Sequence, residues 1–164
     1  MHNTPCTILG IDPGYDRVGY CVAAVLSSQF SVLNYGTIQT DKKQDLSVRY
    51  QQIVTELTAL IKEFKPTQLA IETVLFSVNK KTAMRVAEAK GIITGVCLSQ
   101  GLQIYEYNPR EIKLSITGNG NADKQAVAKI LNLELKLNSN KELDDALDAI
   151  AVAYSHKLLC PVIV

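Results

Sequence analysis

The chain has 164 residues, 47% of them hydrophobic, and its 17 Lys and Arg stand against 16 Asp and Glu for a net charge of +1. That is enough apolar material for one substantial core. No Ser- or Gly-rich linker, no repeat at solenoid spacing and no apolar run near the ~20 residues of a membrane span is present, so multidomain, solenoid and membrane-spanning classes are set aside.

A single domain over 1–164 is expected. Met1 to Pro5 is polar and lacks the charged, apolar and cleavage regions of a secretion signal, which predicts a cytoplasmic protein with no membrane association. Cys6, Cys21, Cys97 and Cys160 are far apart and form no C-x-x-C pair, so they read as buried free thiols. The even net charge argues at first against a nucleic-acid partner, but its distribution matters more than its sum. Residues 76–132 carry eight Lys or Arg against four Asp or Glu, and residues 133–164 carry three against five.

Thr7 to Ile11 is a short β-type run stopped by the turn signal Asp12-Pro13-Gly14. Val18 to Leu26 and Ser31 to Ile38 follow as strands, with Ser27-Ser28-Gln29 as a hairpin turn between them. From Leu46 to Phe64 the apolar residues fall at helical spacing, and Pro66 closes that helix. Gln68 to Thr73 is a buried strand, Lys80 to Gln100 a long helix and Gln103 to Tyr107 a fifth strand. Shorter helices are expected near 109–116, 122–132 and 141–158. The order β-β-β-α-β-α-β-α-α-α predicts an α/β fold, a mixed five-stranded sheet with helices on both faces, whose later strands pair in parallel through βαβ crossovers.

Four carboxylates sit where an apolar framework gives no packing reason for them. Asp12 ends the first strand, and Glu72 interrupts Leu69-Ala70-Ile71 and Thr73-Val74-Leu75-Phe76. Asp145 and Asp148 lie three apart on a helix that is otherwise small and apolar nearly all round, and Asp144 stands four before Asp148. Each has a plain structural reading: an Asx turn for Asp12, an edge position for Glu72, a favourable helix dipole for Asp144 and Asp145. The dipole covers Asp148 poorly. Taken together, the four favour a site for hard cations, which tolerate clustered carboxylates. A pair of Mg²⁺ ions about 4 Å apart can activate water and stabilise the leaving oxygen in phosphodiester cleavage.

Gly10-Ile11-Asp12-Pro13-Gly14, Ala70-Ile71-Glu72-Thr73-Val74 and Asp145-Ala146-Leu147-Asp148-Ala149-Ile150-Ala151 resemble, in order, the three acidic motifs of the RuvC family of Holliday junction resolvases. Ala87-Glu88-Ala89-Lys90-Gly91, Tyr107-Asn108-Pro109-Arg110-Glu111-Ile112-Lys113, Thr117-Gly118-Asn119-Gly120 and Ala122-Asp123-Lys124 resemble intervening segments of the same family. The resemblance runs from about residue 7 to 156. It implies a ribonuclease H-like fold and a crossover junction endodeoxyribonuclease that makes paired symmetric nicks in four-way DNA junctions, leaving 5′-phosphate and 3′-hydroxyl ends.

By that resemblance Asp12, Glu72, Asp145 and Asp148 hold two Mg²⁺ per subunit, with Mn²⁺ as a substitute. Lys113 and Lys124 lie beside the scissile phosphate, and Phe76, or its neighbour Leu75, wedges into the junction centre. Lys80, Lys81 and Arg85, on the opening of the long helix, read as a solvated charged face or as phosphate contacts. A homodimer and the RuvA–RuvB branch-migration complex are the implied protein partners. Ala83, Ala87, Gly91 and Gly95 on the long helix permit close packing, in the monomer core or across a dimer interface. His156, about two turns beyond Asp148, reads as a helix-end residue. Alternatives are a RuvC-related nuclease acting on structured RNA and a junction-binding protein without catalysis. Phosphotransferases of the actin and sugar-kinase type share the Asp-x-Gly turn but need two such domains.

Overall fold

The computed structural model describes residues 6–74, 80–137 and 141–160, with the backbone alone at 80–81 and 141–145. The elements are β1 (Cys6–Asp12), β2 (Arg17–Leu26), β3 (Gln29–Gln39), α1 (Leu46–Phe64), β4 (Gln68–Glu72), α2 (Lys80–Ser99), β5 (Gln103–Tyr107), α3 (Pro109–Thr117), α4 (Lys124–Leu135) and α5 (Lys141–Leu159).

The sheet has five strands in the order β3-β2-β1-β4-β5. β1 pairs antiparallel with β2, and β2 with β3; β1 pairs parallel with β4, and β4 with β5. The mixed pairing follows from the connections, because short turns join the first strands while helices carry the chain back between the later ones. β2 and β3 meet in a tighter turn than the three-residue hairpin the sequence suggests. Ser27 and Ser28 both take positive φ, 47° and 78°, the two-residue geometry that matches strand twist.

Side-chain parity along β1 divides the core. Leu9 and Ile11 point to one face, where Ile53, Leu57 and Ile61 of α1 and Ala89, Ile93 and Cys97 of α2 bury them. Ile8 points to the other, against α3, α4 and α5. α5 lies close to the sheet because its inward residues are small: Ala146, Ala149 and Ala153 are fully buried. At Gly10 there is no space for any side chain, since a Cβ there would lie 2.6 Å from the Ala149 carbonyl oxygen. Among the described residues no helix is long and apolar enough to cross a membrane.

Candidate active site

β1 and β4 run in parallel with Ile8 opposite Gln68, Leu9 opposite Leu69, Gly10 opposite Ala70 and Ile11 opposite Ile71. One residue further in this register come Asp12 and Glu72, side by side at the strand ends. Parity sends both side chains toward the face that carries α5, because they alternate with Ile11 and Ile71 of the opposite core. α5 crosses that face with Asp148 immediately before the Ala149–Ala153 contact on Gly10, so the helix delivers Asp148 to the same end.

The result is a cleft of about 340 Å³ that contains Asp12, Glu72, Asp148, Lys113 and Lys124, with Pro109, Ile112, Val127 and Ala151 among its walls. Local sequence explains how the two lysines reach it. α3 starts at a capping box: Asn108 Oδ1 accepts from the Glu111 N–H at 2.9 Å, and Glu111 Oε2 accepts from the Asn108 N–H at 2.8 Å. With Pro109 in the first turn, this fixes where α3 begins and so where Lys113 projects. α4 starts at Asp123, whose Oδ1 accepts from the Ala126 N–H at 2.8 Å, which puts Lys124 in the first helical turn. The Asn108-Pro109-Arg110-Glu111 signature is readable in the sequence by its cap chemistry alone.

Charge is concentrated here. Lys124 Nζ donates to Asp148 Oδ2 at 2.5 Å. This hydrogen bond, with the nearby charges of Asp148, Asp12 and Glu72, raises the Lys124 pKa and keeps the ammonium charged. Burial, then the charge of Asp148, lifts Asp12 to about 6 against the opposing pull of Lys124. Burial, then Asp12 and Asp148, lifts Glu72 to about 7, with Lys124 and Lys113 pulling the other way. Two carboxyls that resist ionisation because of burial and neighbouring acids form an environment in which added positive charge is strongly favoured.

The donor chemistry fits a hard divalent cation, since Asp12, Glu72 and Asp148 offer carboxylate oxygens to one cleft. Among the described residues no three His, Cys, Asp or Glu side chains are drawn tightly enough to hold an ion as they stand. Asp145 stands one turn before Asp148 on α5; its side chain, with those of Asp144, Lys80 and Lys81, lies outside the described residues. Leu75 and Phe76, the expected wedge, lie outside them too. Arg85 does not line the cleft. It donates to Glu88 Oε2 at 2.8 Å, and the Tyr50 hydroxyl donates to the same oxygen at 2.6 Å.

The model of the family "Crossover junction endodeoxyribonuclease RuvC" matches residues 8–156. The chain belongs to the RuvC family. It is similar to the RuvC of Brachyspira hyodysenteriae, at 43% identity over 90% of this chain and 91% of that protein. It is similar also to the RuvC of Petrotoga mobilis, at 42% identity over 91% of each. Among solved structures, T. thermophilus RuvC in complex with Holliday junction substrate superposes with a TM-score of 0.86 at 26% identity, covering 93% of both chains. The yeast mitochondrial Holliday junction resolvase Ydc2 shares the fold, with a TM-score of 0.67 at 13% identity, covering 93% of this chain and 78% of that one. The chain is thus a crossover junction endodeoxyribonuclease, a Holliday junction resolvase of the metal-dependent RuvC nucleases on a ribonuclease H-like sheet. Neither the RNA-processing reading nor the non-catalytic one is favoured by these relatives.

The remaining expectations divide. Cys21 and Cys97 are buried free thiols as expected, whereas Cys6 and Cys160 are only half-buried. On α2, Ala83 belongs to the monomer core, 8% exposed. Gly91 and Gly95 face outward, with nothing within 4 Å of an added Cβ. His156 is near the end of α5 but fully buried, and burial lowers its pKa to about 4.

Proposed function

We propose that this resolvase nicks two strands of like polarity at a four-way DNA junction, one per subunit of a homodimer, using Asp12, Glu72, Asp145 and Asp148 as ligands for two Mg²⁺ ions. Mn²⁺ fits the same oxygen donors. The observation that carries the assignment is the meeting of Asp12 and Glu72, on adjacent parallel strands, with Asp148 of α5 in one cleft that also holds Lys113 and Lys124. Bound divalent ions would supply an activated water and stabilise the leaving oxygen.

The chain's own residues contribute orientation and charge. Rigid strand ends fix Asp12 and Glu72, and α5 fixes Asp148 relative to them. Lys124, held charged by Asp148, pairs with the scissile phosphate and offsets the negative charge that develops on it; Lys113 acts from α3 in the same way. Phe76 serves as the wedge on which a junction base stacks, a contact type that contributes about 1–3 kcal/mol. Lys80, Lys81 and Arg85, on the opening of α2, hold phosphates of the junction. The products carry 5′-phosphate and 3′-hydroxyl ends, and the RuvA–RuvB branch-migration complex supplies the junction in the cytoplasm.

The direct test is incubation with a synthetic mobile four-way junction and Mg²⁺, with linear duplex and single-stranded RNA as controls. Symmetric paired nicks in the junction alone are expected. Comparable cleavage of duplex or RNA would overturn the reading.

A further inference from the structure

The turn that follows Asp12 is held from behind by one buried cation. Arg49, near the start of α1, is only 8% exposed. Its Nη2 donates to the Tyr15 carbonyl oxygen at 2.9 Å and to the Asp16 carboxylate. Its Nε donates to Thr40 Oγ1 at 3.0 Å, and the guanidinium carbon lies 5.0 Å from the Tyr15 ring centroid. Thr40 is 3% exposed and completes the clamp: its hydroxyl donates to the Tyr15 carbonyl at 2.8 Å, and its N–H to the Asp16 carbonyl at 3.0 Å.

A guanidinium is costly to bury unless its donors are met. Here Nε and Nη2 are met by the connection 13–16 and by Thr40, the residue just beyond β3. That connection joins Asp12, the end of β1, directly to Arg17, the start of β2. It has little slack, since a Cβ on Gly14 would fall 2.0 Å from the Arg17 carbonyl oxygen. Burial raises the Asp16 carboxyl, but the hydrogen bonds and charges of Arg49 and Lys42 outweigh it and hold Asp16 below its usual range. Lys42 reaches Asp16 at 3.1 Å from a side chain 72% exposed, so it is a loose partner beside the enclosed Arg49.

We propose that Arg49 is a positioning residue for strand cleavage: through Tyr15, Asp16 and Thr40 it fixes the turn after β1, and with it the direction in which the Asp12 carboxylate leaves the strand. This rests on the reading of Asp12 as a metal ligand. Arg49 is not among the residues that line the cleft, and its Nε and Nη2 donors are spent on the turn and on Thr40, so its effect is expected on the reaction rate and on ion binding rather than on junction affinity.

The test uses Arg49→Lys, which keeps the charge and loses the planar fork, and Asp16→Asn, which removes the carboxylate from a half-buried site and secures the test if the first variant does not fold. Three quantities are measured well below each variant's thermal midpoint: single-turnover nicking of a bound junction, junction affinity by gel shift, and Mn²⁺ affinity of the DNA-free protein by calorimetry. A misplaced Asp12 should slow nicking by ~10- to 100-fold. Mn²⁺ binding should weaken in step while junction affinity holds. A lowered midpoint with unchanged nicking rate and unchanged Mn²⁺ affinity would overturn the proposal. Asp12→Asn, run alongside, separates the two claims: if it still nicks and binds Mn²⁺ normally, the metal reading fails, whatever Arg49 does.

Discussion

The Ala149 carbonyl oxygen lies 2.6 Å from the place a Cβ on Gly10 would take, and the Ala153 Cβ lies 2.7 Å from it. Gly10 is two residues before Asp12, and Ala149 is next to Asp148, so this one contact sets the spacing between strand-borne and helix-borne acids. Gly10→Ala must push α5 off β1. Overpacking of this kind costs about 1–3 kcal/mol. Cleavage should fall further than stability, because the displacement separates Asp148 from Asp12. Urea denaturation and nicking assays on the same preparation check this; wild-type stability together with wild-type rate would refute the contact's role.

Asp148→Asn is expected to abolish cleavage while junction binding stays intact or tightens. The substitution removes a negative charge from the cleft and leaves Lys124, which donates to Asp148 at 2.5 Å, with at most a neutral amide acceptor there. One negative charge fewer beside a polyanion does not weaken association. Gel shift and nicking decide it, and nicking near the wild-type rate contradicts the assignment.

Ionisation of the cleft should leave a signature in stability against pH. Asp12 is raised to about 6 from 3.8 and Glu72 to about 7 from 4.5. The folded protein therefore holds these protons after the unfolded chain has lost them. Their contribution to stability is fully present below about pH 4 and is lost as the pH rises through 6 and 7. His156, lowered to about 4 from 6.5, acts oppositely: its contribution is present above 6.5 and lost as the pH falls toward 4. The decisive quantity is thus the difference between wild type and Asp12→Asn/Glu72→Gln in thermal midpoint, measured without divalent ions. The double variant should gain on the wild type between pH 4 and 7.5, and Mg²⁺ should stabilise the wild type alone at the upper end. Parallel midpoint profiles would rule this out.

Much of this site is legible in the sequence because carboxylates in apolar segments announce themselves. Asp12 and Glu72 break β-type runs, and Asp148 sits on a helix otherwise built of small residues. Arg49 is hidden for the opposite reason: it lies on the buried stripe with Ile53, Leu57 and Ile61, so helical spacing marks its position while its type reads as surface. Its partners on the 13–16 turn and at Thr40 are supplied only by the fold. His156 is similar. It reads as a helix end, yet the Tyr107 hydroxyl donates to its Nδ1 at 2.6 Å and its Nε2 donates to Gln68 Oε1 at 2.9 Å, tying α5 to β5 and β4. In β3 the strand parity is lost at Leu33, 51% exposed, because the register shifts where Val22 faces Asn34 and Ala23 faces Val32. An extra residue of this kind leaves the apolar pattern looking like ordinary alternation that has merely faltered.

The oligomeric state bears directly on mechanism, because the described residues bring Asp12, Glu72 and Asp148 into a single cleft while resolution requires two incisions. The outward side of α2 is suited to a two-fold contact. Gly91 and Gly95 would let a second helix approach closely, and Met84 and Leu98 on the same helix are 61% and 58% exposed. Ala83, turned into the core, takes no part. Gly91→Arg is a clean probe, since an added side chain meets nothing within 4 Å of its Cβ in the monomer but enters a self-complementary interface twice. The variant should keep the wild-type thermal midpoint measured at high dilution, sediment as a monomer, and still bind junctions through its basic residues. Its nicks should become single and uncoordinated, so that nicked junctions accumulate where the wild type yields resolved duplexes. Light scattering of both proteins at working concentration, with and without junction DNA, establishes their states. A wild type that stays monomeric in both conditions and still resolves by paired nicks would show that α2 is not the dimer contact and that coordination arises elsewhere.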